Sequence, residues 1–134
     1  MFFDAVHLVV HYDNDQELQI VATTQLGNHL SAKEPNLRFL ALEGLSAMAQ
    51  TEFSRDAVKK HMPTVIKSLK REKDATVQRR AVDVLYAVCD KKTVVEIVSE
   101  LLEFLVDADY SGSQTKRKKE RKENKRKKEK RKKR

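Results

Sequence analysis

His7 and His11 stand four residues apart, the spacing that puts two imidazoles on one helix face where they could chelate zinc. A zinc site takes three or four ligands. Leu8 rather than a glutamate follows His7, and nothing in the pattern supports a third ligand such as Asp15. The pair reads as surface or half-buried helix histidines, and no metal site is assigned. His29 and His61 have no partner pattern. Cys89 lies in an apolar helical stretch with no histidine near it in sequence, so a small buried core residue is expected rather than a nucleophile. Tyr86 in the same stretch is expected in the core or at an interface. Asp13 and Asp15 read as loop and cap residues, and Asp107 and Asp109 as a helix end. With three glycines in all, there is no glycine-rich phosphate loop. No catalytic set emerges, so no enzyme activity, cofactor or small-molecule substrate is expected.

Charge is the second source of chemistry, and it is segregated. Residues 116–134 hold 15 Lys/Arg and 3 Glu, a net of +12, which leaves the first 115 residues with 13 basic and 17 acidic residues, a net of −4. The candidate polyanion-binding residues are therefore Lys116, Arg117, Lys118, Lys119, Arg121, Lys122, Lys125, Arg126, Lys127 and Lys128. Such a run binds nucleic acid through counterion release without sequence preference. Beside an anionic bilayer each basic residue adds about 1 kcal/mol. It also has the composition of a nuclear-import signal. No aromatic residue interleaves it, so bases would find no stacking platform. Having no apolar residue, the run cannot bury a core and is expected to be disordered. Two smaller basic spots, Lys70–Arg71 with Lys73 and Arg79–Arg80, read as solvated surface or as contacts to an acidic partner.

The elements that carry these residues are helical throughout. Apolar periodicity predicts helices over about 2–12, 16–30, 36–50, 54–71, 76–90 and 93–107. The first is apolar on most sides and is expected to be buried. The second carries the stripe Leu18, Val21, Ala22, Leu26, Leu30. Asp15, Asn36 and Ser54 are candidate caps. Pro35 pushes Glu34 out of helical geometry, and Pro63 should kink or split the fourth helix. Gly44, inside a helix, is expected to admit a close neighbour. No stretch alternates with period two, so no sheet is predicted.

Two of these patterns recur. Leu37, Ala41, Leu45 and Met48 are matched 40 residues later by Val77, Ala81, Leu85 and Val88. Val58, Met62, Val65, Ile66 and Leu69 are matched 36 residues later by Val94, Val98, Leu101, Leu102 and Leu105. Repeats of roughly 40–47 residues built from helices mark HEAT and armadillo solenoids. The expected fold is an all-α, HEAT/armadillo-like α-solenoid of about three antiparallel helical hairpins over 1–111, followed by a basic tail over 112–134. The terminal helices should leave apolar surface exposed, because each repeat covers its neighbour. One cysteine and no internal disulfide fit a reducing compartment. No run approaches the ~18 apolar residues of a membrane span, and no secretory leader is expected.

The segments NLRFLALEGL (36–45), TEFSRDAVKKH (51–61), RRAVDVLYAVCD (79–90) and EIVSELLEFLVDADYS (96–111) resemble the adaptins, large chains of clathrin adaptor complexes, and the alpha type more than the gamma type. The resemblance covers about residues 2–111. It implies a piece of a curved α-solenoid trunk that assembles with a second large chain, a medium chain and a small chain. It further implies a non-enzymatic role linking membrane and cargo to clathrin in endocytosis, on the cytoplasmic face of the plasma membrane or in coated pits. The rival expectation is a binding module that its tail directs to nucleic acid or the nucleus. The family's phosphoinositide-binding patch has no counterpart here, and no lipid-binding residue is carried over. Where the family continues with another repeat after Ser111, this sequence has Gly112–Ser113–Gln114–Thr115 and the basic run, as in a truncated or alternatively spliced product.

Overall fold

The computed structural model describes residues 1–12 and 15–132. Among these residues there are seven helices and no strand: α1 Phe2–Tyr12, α2 Gln16–His29, α3 Pro35–Met48, α4 Glu52–Lys59, α5 Met62–Arg71, α6 Ala75–Ala87 and α7 Val94–Lys132. The seventh arises because Pro63 splits the predicted fourth helix. Proline lacks an N–H and is favoured in a first helical turn, so α4 ends in a turn at Lys60–His61 and α5 restarts with Pro63 in its opening turn.

Local chemistry sets the other boundaries. Asp15 caps α2, accepting from the backbone N–H of Glu17 at 2.8 Å and Leu18 at 3.4 Å; Asp13 and Asn14 lie outside the described residues. Pro35 opens α3 with Glu34 extended before it, which places Asn36 inside the helix rather than at its cap. Asp74 caps α6 through Thr76 and Val77. Ser54 is not a cap either. It is buried one turn into α4, where its hydroxyl donates to Gln19 Oε1 at 2.6 Å.

The chain divides into two units, Met1–Ile97 and Val98–Arg134. From Val98 onward every described residue belongs to one continuous helix.

In the first unit, α1, α3 and α6 pack side by side, while α2 and the α4–α5 pair lie against them. The 40-residue offset explains this. It makes α3 and α6 equivalent, and equivalent helices stack on each other in a solenoid. Besides packing on its chain neighbours, α3 packs far more extensively on α6 and α2 than on α4. Ala41 and Ala81, at equivalent places in α3 and α6, are both buried. Gly44 does admit a neighbour: a Cβ there would lie 2.8 Å from Leu26 Cδ2.

Two burial expectations hold only in part. On α1 Val6 is buried, while Leu8 is 60% exposed, because α1 meets α2 and α3 along one face. On α2 the buried set is Gln19, Ala22, Thr23, Leu26 and Gly27, and Leu18 and Val21 face out. Gln19 and Thr23 join the core because their polar atoms are satisfied there. Gln19 Oε1 takes the Ser54 hydroxyl, and Thr23 Oγ1 donates to the Gln19 carbonyl at 2.7 Å.

Candidate interaction surfaces

Three polar junctions hold the repeats in register. The first is built on Arg38, half-buried on α3. Its Nε donates to Glu72 Oε2 at 2.7 Å and one terminal nitrogen donates to Oε1 at 3.2 Å. Its other terminal nitrogen donates to the carbonyls of Ala32 and Lys33. Glu72, with its side chain 5% exposed, also accepts from the N–H groups of Lys73 and Asp74. The guanidinium, helped by those N–H groups, holds the Glu72 carboxyl below the usual carboxylate range.

The second junction fixes the approach to α7. Lys59 donates to Asp90 Oδ2, while Asp90 Oδ1 accepts from the N–H of Lys92 and from both the N–H and hydroxyl of Thr93. The lysine contact, and then Thr93, push the Asp90 carboxyl far below its ordinary range, and Asp90 raises Lys59 in return. The third sits where Arg80 lies 5.2 Å from the centre of the Phe39 ring and reaches Glu43 at 3.8 Å and Asp83 at 3.6 Å. Arg80 is therefore engaged rather than available.

The reactive types behave as follows. His11 Nδ1 donates to the His7 carbonyl at 2.9 Å and the two exposed rings stack at 4.8 Å. The i, i+4 spacing thus makes a local helix contact, and that nitrogen is already used. Cys89 is exposed, not buried as expected, because α6 ends at Ala87 with Val88 as its C-cap and the chain turns there. Tyr86 is 83% exposed, which rules out the core and leaves a surface position. His61 covers Gly27, and burial followed by the nearby Lys60 lowers its pKa.

Exposed apolar side chains are the most informative surface. Val58, Met62, Val65, Ile66 and Leu69 are all buried, yet of their counterparts 36 residues on, Val98, Leu102 and Leu105 are 46%, 58% and 56% exposed. Val106 is 68% exposed, and Val94 and Val95 are exposed too. Val98, Leu102, Leu105 and Val106 follow helical spacing, so they form one stripe on α7. Phe53 on α4, 69% exposed, is a further apolar residue that periodicity did not single out.

The basic residues Lys116, Arg117, Lys118, Lys119, Arg121, Lys122, Lys125, Arg126, Lys127 and Lys128 are exposed, but on a helix rather than in a disordered tail. The difference has a cause. Lys, Arg and Glu are good helix formers, and a helix already nucleated over Val94–Asp107 extends without a new nucleation cost. Glu123 and Lys127 add an i, i+4 ion pair at 2.8 Å. At 100° per residue the basic side chains point all round the helix and make no single face. No helix among the described residues is long and apolar enough to cross a membrane.

Comparison with known proteins agrees with this repeat architecture. The family described as adaptin N terminal region matches residues 1–121, which extends past Ser111 into the basic run. The AP-2 complex subunit alpha-1 of Arabidopsis thaliana is 39% identical over 111 residues, covering 83% of this chain and 11% of that protein. The AP-2 complex subunit alpha-2 of Dictyostelium discoideum is 41% identical over 112 residues, again 83% of this chain and 11% of that protein. The AP-1 complex subunit gamma of Dictyostelium discoideum is 29% identical over 109 residues, 81% of this chain and 12% of that protein. The chain thus spans 11–12% of the length of these relatives. A stacked helical repeat, matched over residues 1–121 and nearer to the alpha than to the gamma subunit, means that the chain belongs to the adaptin N-terminal region family, on its alpha-type side.

Proposed function

We propose that the chain is a non-enzymatic scaffold segment of a clathrin adaptor large chain, acting in endocytosis and vesicle-mediated intracellular protein transport. The observation that carries this reading is the contrast between the two copies of one pattern. Val65, Ile66 and Leu69 are buried by neighbouring helices, while the equivalent α7 stripe is exposed and matches what a further helical layer would cover. Its partners would be the complex's small chain and second large chain, on the cytoplasmic face of the plasma membrane or in coated pits. The test is co-expression of the chain with those two subunits. Co-purification at defined stoichiometry supports the reading. Failure to co-purify, where the full trunk does so, removes it.

The tail favours a second, compatible contact. Lys116, Arg117, Lys118, Lys119, Arg121, Lys122, Lys125, Arg126, Lys127 and Lys128 are all exposed, and the Glu123–Lys127 pair engages one of these ten. They would draw the chain to an anionic membrane surface, or to nucleic acid in the rival nuclear reading, with affinity falling steeply as salt rises. Vesicle and duplex binding of the chain, compared with a variant lacking residues 116–134, separates the two. Binding that survives the deletion would exclude the tail.

A further inference from the structure

A groove of about 520 Å³ opens between the α2–α3 link and α5 in the first unit. Thr64, Lys67, Ser68 and Arg71 line it at positions i, i+3, i+4 and i+7, one face of α5, and Ser31 lines it from the link opposite. Lys67 and Arg71 are exposed and form no ion pair among the described residues. One helical turn apart, they have Cβ atoms about 5–6 Å from each other, close enough for both side chains to reach one bound group. The three hydroxyls have no protein hydrogen-bond partner among the described residues.

An acidic residue also lines this groove, and its state decides the sign of the site. Glu72 is held by the Arg38 fork and two backbone N–H groups, so its charge is already matched. Lys67 and Arg71 therefore remain as two uncompensated cations beside three hydroxyl donors. The carbonyls at the end of α5 oppose an anion there, but the Glu72 N–H takes the Ser68 carbonyl at 2.9 Å.

We infer that this groove binds a phosphate-class oxyanion between Lys67 and Arg71, with Ser31, Thr64 and Ser68 as hydroxyl donors. A dianion matches the two free positive charges. Arg71 supplies the planar fork suited to phosphate, and Lys67 the point charge. The inference does not depend on the scaffold role.

NMR titration of the whole chain with inorganic phosphate, at ionic strength held constant with sodium chloride, tests it. The backbone amides of Ser31, Thr64, Lys67, Ser68 and Arg71 should shift and saturate. The double variant Lys67→Gln/Arg71→Gln should bind at least tenfold more weakly, with unchanged thermal melting because both side chains are exposed. Lys67→Arg should retain binding, and Lys116→Gln/Arg117→Gln should leave these amide shifts as they are. A parallel arm adds vesicles of phosphatidic acid in phosphatidylcholine. Saturation with free phosphate identifies a soluble source, and a response to vesicles alone a lipid headgroup. Linear shifts equalled by chloride, shifts confined to residues 116–130, or undiminished binding in the double variant would overturn the proposal.

Discussion

Arg38 reaches from α3 to Glu72 at the end of α5 and fastens two link carbonyls on the way. Arg38→Met would strand the nearly buried Glu72 carboxylate, at a cost of about 3 kcal/mol near neutral pH. The pH dependence follows from the direction of the Glu72 shift. The ordinary value is 4.5 and the folded value is lower, so the contribution is complete above pH 4.5 and fades as pH falls through the folded value. Urea unfolding of both proteins should show the stability gap at pH 7 and its shrinkage in acid; a gap that widens in acid would contradict the pairing. Gly44 gives a second test. Alanine gains about 1 kcal/mol of helix propensity, but its Cβ would meet two methyls of the fully buried Leu26 at 2.8 and 3.0 Å. Overpacking of about 1–3 kcal/mol should win, so Gly44→Ala should lower the thermal midpoint. The role of Gly44 was legible because a glycine inside an apolar helix has few other reasons to be there. Arg38 and Glu72 were not legible, since 34 residues separate them and nothing local links their charges. The burial expected of Cys89 fails because its apolar neighbours suggest a helix that in fact stops two residues before it.

Among the elements, the two prolines were the most readable, as each removes an N–H and restricts the residue before it. The face of α2 was the least readable. Apolar periodicity marked Leu18 and Val21, while the buried side is completed by the Gln19–Ser54 hydrogen bond, which no hydrophobic pattern reports. For α6, Ala81 is 1% exposed in a helix that packs on both α3 and α5. Ala81→Leu should overpack that junction and destabilise the chain by about 1–3 kcal/mol, while an unchanged melting curve would refute the register. Composition alone predicts disorder for the basic end of α7, because like-charge repulsion is offset only by the helix already running into it. Repulsion should still act there. Raising salt from about 0.01 M to 1 M shortens the screening length from about 30 to 3 Å, so helicity over residues 116–132 should rise. Site-resolved NMR shifts would show it, and a fall would mean that ion pairs such as Glu123–Lys127 outweigh the repulsion.

For the whole molecule, the 40-residue repeat made the solenoid readable, but not which helices would touch. Short links keep chain neighbours together, and the equivalence of α3 and α6 adds extensive stacking between repeats. The same repeat shows what α7 is missing, because Val98, Leu102 and Leu105 stand exposed where Met62, Ile66 and Leu69 are covered. The central claim is that this stripe is a contact surface of an adaptor trunk. The most direct measurement is the affinity of the chain for the adaptor small chain and second large chain, compared with Val98→Asp/Leu102→Asp. Both positions are exposed, so helical content by circular dichroism should not change while binding falls at least tenfold. Equal affinity in the charged variant would contradict the claim.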